Sequence, residues 1–104
     1  MNRLPTKEAI EAFLLDNIRP RLKKNPQLKD VVVWVESLND ARGFVTLGMA
    51  LGSGTGCSPF CGCAANQIAE LIEKELCQKF SGIARVFGKA ALPAQEYLDQ
   101  WNKN

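Results

Sequence analysis

At 104 residues, with 46% hydrophobic and 23% charged positions and a formal net charge of +2, the chain has the balance of one ordinary globular domain with a single modest core. It contains no histidine, which removes Ser-His and Cys-His nucleophilic pairs, histidine general bases and imidazole metal ligands. Mean hydropathy is −0.12, no unbroken apolar run could span a bilayer, and Met1-Asn2-Arg3 leads to Pro5 without the apolar core of a signal peptide, so the expected setting is cytoplasmic, with no membrane partner.

Thr6 follows Leu4-Pro5 as a candidate N-cap, with Glu8 and Glu11 in the first turns of a helix. Ile10, Phe13, Leu14 and Ile18 recur at helical spacing and give it one apolar face. Pro20 lacks a backbone donor, so a kink or an end is expected near Arg19, with Leu22 continuing the apolar face and Asn25-Pro26 closing the segment. Arg19, Arg21, Lys23 and Lys24 make a basic patch at this helix end. No aromatic side chains are interleaved with it for stacking on bases, so it reads as a solvated helix terminus and no nucleic-acid partner is expected.

Residues 30–38 are rich in β-branched side chains, including Val31, Val32, Val33 and Val35 around Trp34, and predict a strand. A turn at Asn39-Asp40-Ala41-Arg42-Gly43 leads into a second strand over residues 44–51. There Val45, Leu47, Met49 and Leu51 share one face, and Phe44, Thr46, Gly48 and Ala50 share the other. Trp34 and Met49 read as packing residues.

A helix is expected from about residue 64 to 80, with Ala65, Ile68, Ala69, Ile72, Leu76 and Phe80 as its buried stripe and Leu71 at one margin. Ser81-Gly82 stops it, residues 83–87 alternate as a third strand, and a last short helix starts near Leu92-Pro93 and carries Tyr97, Leu98 and Trp101. The order helix, strand, strand, helix, strand, helix predicts an α+β domain over residues 1–104, with a small three-stranded mixed sheet and helices packed on one face.

Between the second strand and the long helix lies Gly52-Ser53-Gly54-Thr55-Gly56-Cys57-Ser58-Pro59-Phe60-Cys61-Gly62-Cys63. Three cysteines fall within seven residues of a stretch, from Gly43 through Ala69, that has no charged side chain. Thiolates are ligands for iron–sulfur clusters, zinc and copper(I), and the glycines allow a loop to fold around a common point. Cys63 sits where the helix should begin, and the helix N-terminus favours a thiolate. Cys57, Cys61 and Cys63 are therefore the candidate metal and cluster ligands. Cys77 lies roughly 20 Å further along the helix at 1.5 Å per residue, on the flank of the buried stripe, and reads as a small semi-buried residue.

Three thiols fall one short of a closed four-ligand site. Either two chains share a cluster, each donating two thiols, or one chain uses three with an exogenous fourth ligand. Both arrangements leave the metal exchangeable, which suits a carrier. A bare zinc site and a thiol–disulfide pair, Cys61–Cys63 or Cys57–Cys61, are the competing readings. A phosphate cradle on the glycine run is disfavoured, because the P-loop lysine and the dinucleotide glycine spacing are both missing.

From Ile10 to Val86 the chain resembles the NifU-like C-terminal domain of iron–sulfur cluster assembly proteins. The residues that carry the likeness are Ile18-Arg19-Pro20-x-Leu22, the hairpin, the Gly-rich cysteine loop, Ile68, Ile72 and Glu73 of the following helix, and Gly82-Ile83. The family pattern is Cys-x-x-Cys; with Cys61 as its second cysteine, Ser58 takes the first position, Cys57 lies one residue early and Cys63 is an addition. The chain is also similar to PaaD/SufT-like domains, which place one reactive cysteine before the same helix; Cys63 then gives the better helix length. The resemblance implies a non-enzymatic scaffold or carrier that binds a labile [2Fe–2S] or [4Fe–4S] cluster and transfers it to apo iron–sulfur client proteins. It further implies supply by a cysteine desulfurase system and a homodimer bridged by a cluster as one arrangement. A metal-free assembly adaptor and a thiol–disulfide oxidoreductase are the alternatives. Phe60, between the ligands, either shields the cluster and contacts a partner or folds onto the core.

Overall fold

A computed structural model describes residues 4–53 and 56–103, with side chains at 4–52 and 60–103. The elements are α1 (Lys7–Phe13), a π-helical turn (Leu14–Ile18), α2 (Arg19–Lys24), β1 (Val31–Asn39), β2 (Phe44–Ser53), β3 (Gly56–Pro59), α3 (Gly62–Lys79), β4 (Arg85–Ala90) and α4 (Gln95–Asn102). The class is α+β, as the order of elements predicts.

β2 is the central strand. It pairs antiparallel with β1, from Val31↔Leu51 to Asn39↔Phe44, with a bulge between Val35 and Ser37. On its other side the first half of β2 pairs parallel with β4, from Phe44↔Arg85 to Met49↔Ala90. The second half pairs antiparallel with β3, from Ala50↔Pro59 to Ser53↔Gly56. The mixed sheet is thus three strands wide, with β4 and β3 meeting β2 end to end. Gly43, at φ 70, closes the β1–β2 hairpin, a left-handed conformation that glycine adopts without steric cost.

Thr6 Oγ1 accepts from the Ala9 amide at 3.1 Å, the expected N-cap. The first helical segment does not stop at Pro20. The Arg19 amide instead bonds the Leu14 carbonyl, five residues back, and Pro20 falls in the first turn of α2. There its missing donor costs nothing, and the widened turn before it keeps the ring clear of the preceding carbonyl.

One buried cluster draws on every helix and on β1, β2 and β4. α3 lies over β4 and β2, while α1 and α2 lie over β1. The helices are joined side by side through the edge-on Phe13–Phe80 pair at 5.9 Å and the Arg21–Glu75 ion pair. α4 reaches around β1 to the second sheet face, where Leu98 stands beside Val32 and Gly52. The Trp34 indole lies flat on Gly48 of the same face, so a methyl group there would overlap the ring. Trp34 and Met49 are both buried packing residues.

Side chains bond to backbone groups on the outer edges of β1 and β4. On β1 the Val33 carbonyl accepts from the Tyr97 hydroxyl at 2.6 Å, and the Val35 amide donates to Glu11 Oε2 at 3.1 Å. On β4 the Val86 and Gly88 amides donate to Glu73 Oε2 at 2.8 Å and Asn66 Oδ1 at 2.9 Å. Edge groups satisfied in this way cannot template another strand. Burial, and then the charge of Glu11, push the Tyr97 phenol well above its ordinary range, so it stays a donor to Val33. Tyr97→Phe leaves that buried carbonyl unpaired, with an expected loss of about 1 kcal/mol in urea unfolding. A midpoint equal to wild type would show that the edge is closed by packing alone.

Arg19, read from the sequence as part of a solvated patch, instead caps α4. Its Nη1 donates to the carbonyls of Gln100 at 3.0 Å, Trp101 at 3.3 Å and Lys103 at 3.0 Å, where a cation also complements the helix dipole. Leu51, placed by alternation on the same face as Val45, Leu47 and Met49, is 37% exposed whereas those three are buried. No helix among the described residues is long and apolar enough to cross a membrane.

Candidate functional site

The cysteine segment is more regular than a glycine-rich loop suggests. Its Gly56–Pro59 portion is β3, and the Cys57 backbone is held opposite Gly52 of β2. Gly62 is the first residue of α3, two positions before the expected start, and Gly52 continues β2. Neither uses a positive φ. The site is therefore framed by a strand that ends at Pro59 and a helix that begins at Gly62, with only Phe60 and Cys61 between them.

Cys61 occupies the N-cap position of α3 in extended conformation, φ −68 and ψ 129. Cys63 lies in the first turn. Both thiols are exposed and free of disulfide bonds. The amides of Ala64 and Cys63, followed by a smaller contribution from the Cys63 thiol, hold the Cys61 thiol below its ordinary value. No side-chain cap hydrogen bond of full geometry forms at Cys61. The effect is that of unpaired amide dipoles at a helix N-terminus directed towards a sulfur that can ionise. No lysine or arginine is needed, consistent with the charge-free stretch around the cysteines.

The Cys57 side chain lies outside the described residues, so the three-thiol set is seen only through Cys61 and Cys63. Among the described residues no group of three cysteine and carboxylate ligands converges on one point. Cys77 is half-buried far along α3, and burial, then the charge of Glu73, push its thiol up. It stands apart from the other two thiols, as the sequence predicts. Phe60 is partly buried and packed against the core, so of its two readings the packing one describes its position.

Helical spacing alone did not mark Glu11, Asn66 or Tyr97 as the groups that bond the outer edges of β1 and β4 and so fix α1, α3 and α4. Glu11 and Asn66 each stand one position from a core residue, Ile10 and Ala65, and a polar group bordering an apolar stripe was the available signal.

Comparison with family models, with curated proteins and with solved structures gives no match. By fold and site, the molecule is an α+β domain presenting two free thiols at the head of its longest helix.

Proposed function

We propose that this chain is an iron–sulfur cluster scaffold or carrier, holding a labile cluster as cargo and passing it to apo-proteins by thiol ligand exchange. The observation that supports this most is the pair of free, exposed thiols at the N-terminus of α3, one of them with its ionised form favoured. A thiolate is the form that binds iron, and an exposed one can be displaced by an acceptor thiol without unfolding its surroundings. Two thiols from this turn, with or without Cys57, leave coordination for a second copy or an exogenous ligand to complete. That is the arrangement expected of a site that must release what it holds.

Anaerobic reconstitution with ferrous iron and sulfide tests this. The expected result is visible charge-transfer absorption with matching acid-labile sulfide, abolished in the Cys61→Ser/Cys63→Ser double variant and retained in Cys77→Ser. A colourless protein overturns the proposal: stoichiometric zinc would then indicate a bare metal site, and turnover of a model disulfide an oxidoreductase.

A further inference from the structure

A strongly exposed apolar side chain stands on α3 among buried ones. Leu71 is 68% exposed although its neighbours Ile68 and Ile72 belong to the core. With them it forms one wall of a groove of about 240 Å³ between α2 and α3; Leu22 and Leu28 form the other, and Arg21 and Asn25 stand at the rim. Beyond Arg21 and Asn25 lies a second, wider depression that adds Lys24, Pro26 and Gln27 and has no carboxylate in its lining. Arg21 is paired with Glu75, whereas among the described residues Lys23 and Lys24 have no ion-pair partner. The surface therefore grades from apolar to cationic along one line.

Leu71 shares its helix face with one of the thiols. Cys63, Gln67 and Leu71 are spaced by four residues and all are exposed, so they form one ridge of α3. At 1.5 Å per residue Leu71 stands about 12 Å from Cys63 along the axis, within the reach of one short segment of a docked partner. We infer that the α2–α3 groove is a docking site for an amphipathic helical segment of a client protein. Its apolar side chains fill the groove, and its carboxylates lie over Lys24, which no carboxylate among the described residues pairs. The acidic character of the occupant follows from charge complementarity; its identity as a client rests on the carrier reading above.

The test uses the full, metal-free chain and two synthetic helical peptides of equal length. Each has leucines at i, i+3, i+4 and i+7; one has glutamates on its flanks and the other lysines. Fluorescence anisotropy is expected to show the acidic peptide binding at least about tenfold more tightly than the basic one. Amide shifts should cluster on residues 22–28 and 68–72. Leu71→Ser, which changes an exposed side chain, is expected to weaken binding about tenfold, and Lys24→Glu to weaken it at low salt and less at high salt. Equal affinity for both peptides, no binding of either, or shifts confined to the sheet face where Phe44 and Phe87 meet edge-on at 5.3 Å would overturn the inference. So would concentration-dependent self-association lost in Leu71→Ser, because a second copy would then be the occupant. Docking of the acidic peptide by a chain that stays colourless on reconstitution leaves the groove assigned and removes the carrier reading. A coloured chain that ignores the peptide does the reverse.

Discussion

Gly88→Ala is expected to destabilise the domain by about 3 kcal/mol, the upper part of the usual range for overpacking, read as a lowered urea midpoint at unchanged m. A methyl group at this position would overlap the backbone carbonyl of Ala65 and stand 2.9 Å from the Asn66 amide nitrogen. A side chain in the way could change rotamer, but a helix backbone cannot, so α3 as a whole must move off β4. That movement strains the two hydrogen bonds that tie the helix to the strand edge, Gly88 N to Asn66 Oδ1 and Val86 N to Glu73 Oε2. It also displaces the first turn of α3, which carries the thiols. Gly62→Ala is the contrasting case: a methyl group there has no neighbour within 4 Å, and the expected effect is neutral or stabilising by about 0.5 kcal/mol. If Gly88→Ala unfolds at the wild-type midpoint, α3 does not press on β4 as described.

Alkylation by iodoacetamide, followed residue by residue by mass spectrometry, is expected to mark Cys61 ahead of Cys77 by about an order of magnitude at neutral pH. The two effects that separate them act in the same direction. Amides at the head of α3 favour the Cys61 thiolate, whereas burial and Glu73 disfavour the Cys77 thiolate. The Cys61 rate should rise at a pH below the ordinary thiol range, and the Cys77 rate above it. The same displacement links to stability. Because the folded state lowers the Cys61 value, its contribution is fully present above the ordinary thiol pKa and is lost as pH falls through the lowered one. Cys61 is fully exposed, so the reactivity profile, not the unfolding free energy, is where this effect is measured. Equal rates at the two cysteines, or a Cys61 profile at the ordinary thiol position, would remove the electrostatic basis of the site.

Element types were legible because local periodicity carries them. Of the expected stripes, Ile10, Leu14, Ile18 and Ala65, Ile68, Ala69, Ile72, Leu76 are buried, while Phe13 and Phe80 are partly buried against the core; the valine-rich run is β1. Cys63 was legible at a helix start, because N-caps and first turns obey local rules, whereas Cys61 read as a loop residue and takes the N-cap because α3 begins two positions early. β3 was not, since a four-residue strand that opens on Gly56 and ends on Pro59 has no periodicity of its own and exists by pairing with β2. Nor was the π-turn, which moves the accommodation of Pro20 one turn earlier in the chain.

The sequence by itself determined the α+β class, the order of the main helices and strands, the buried stripes and the gathering of thiols before α3. Each follows from neighbours a few residues apart. Only the tertiary structure decided that Arg19 caps α4, that Glu11, Glu73, Asn66 and Tyr97 bond the outer edges of β1 and β4, and that Leu71 opens onto a groove beside α2. These are meetings between residues distant in the chain. Which polar group satisfies which backbone atom depends on where the packed core leaves each edge, and no local pattern encodes that.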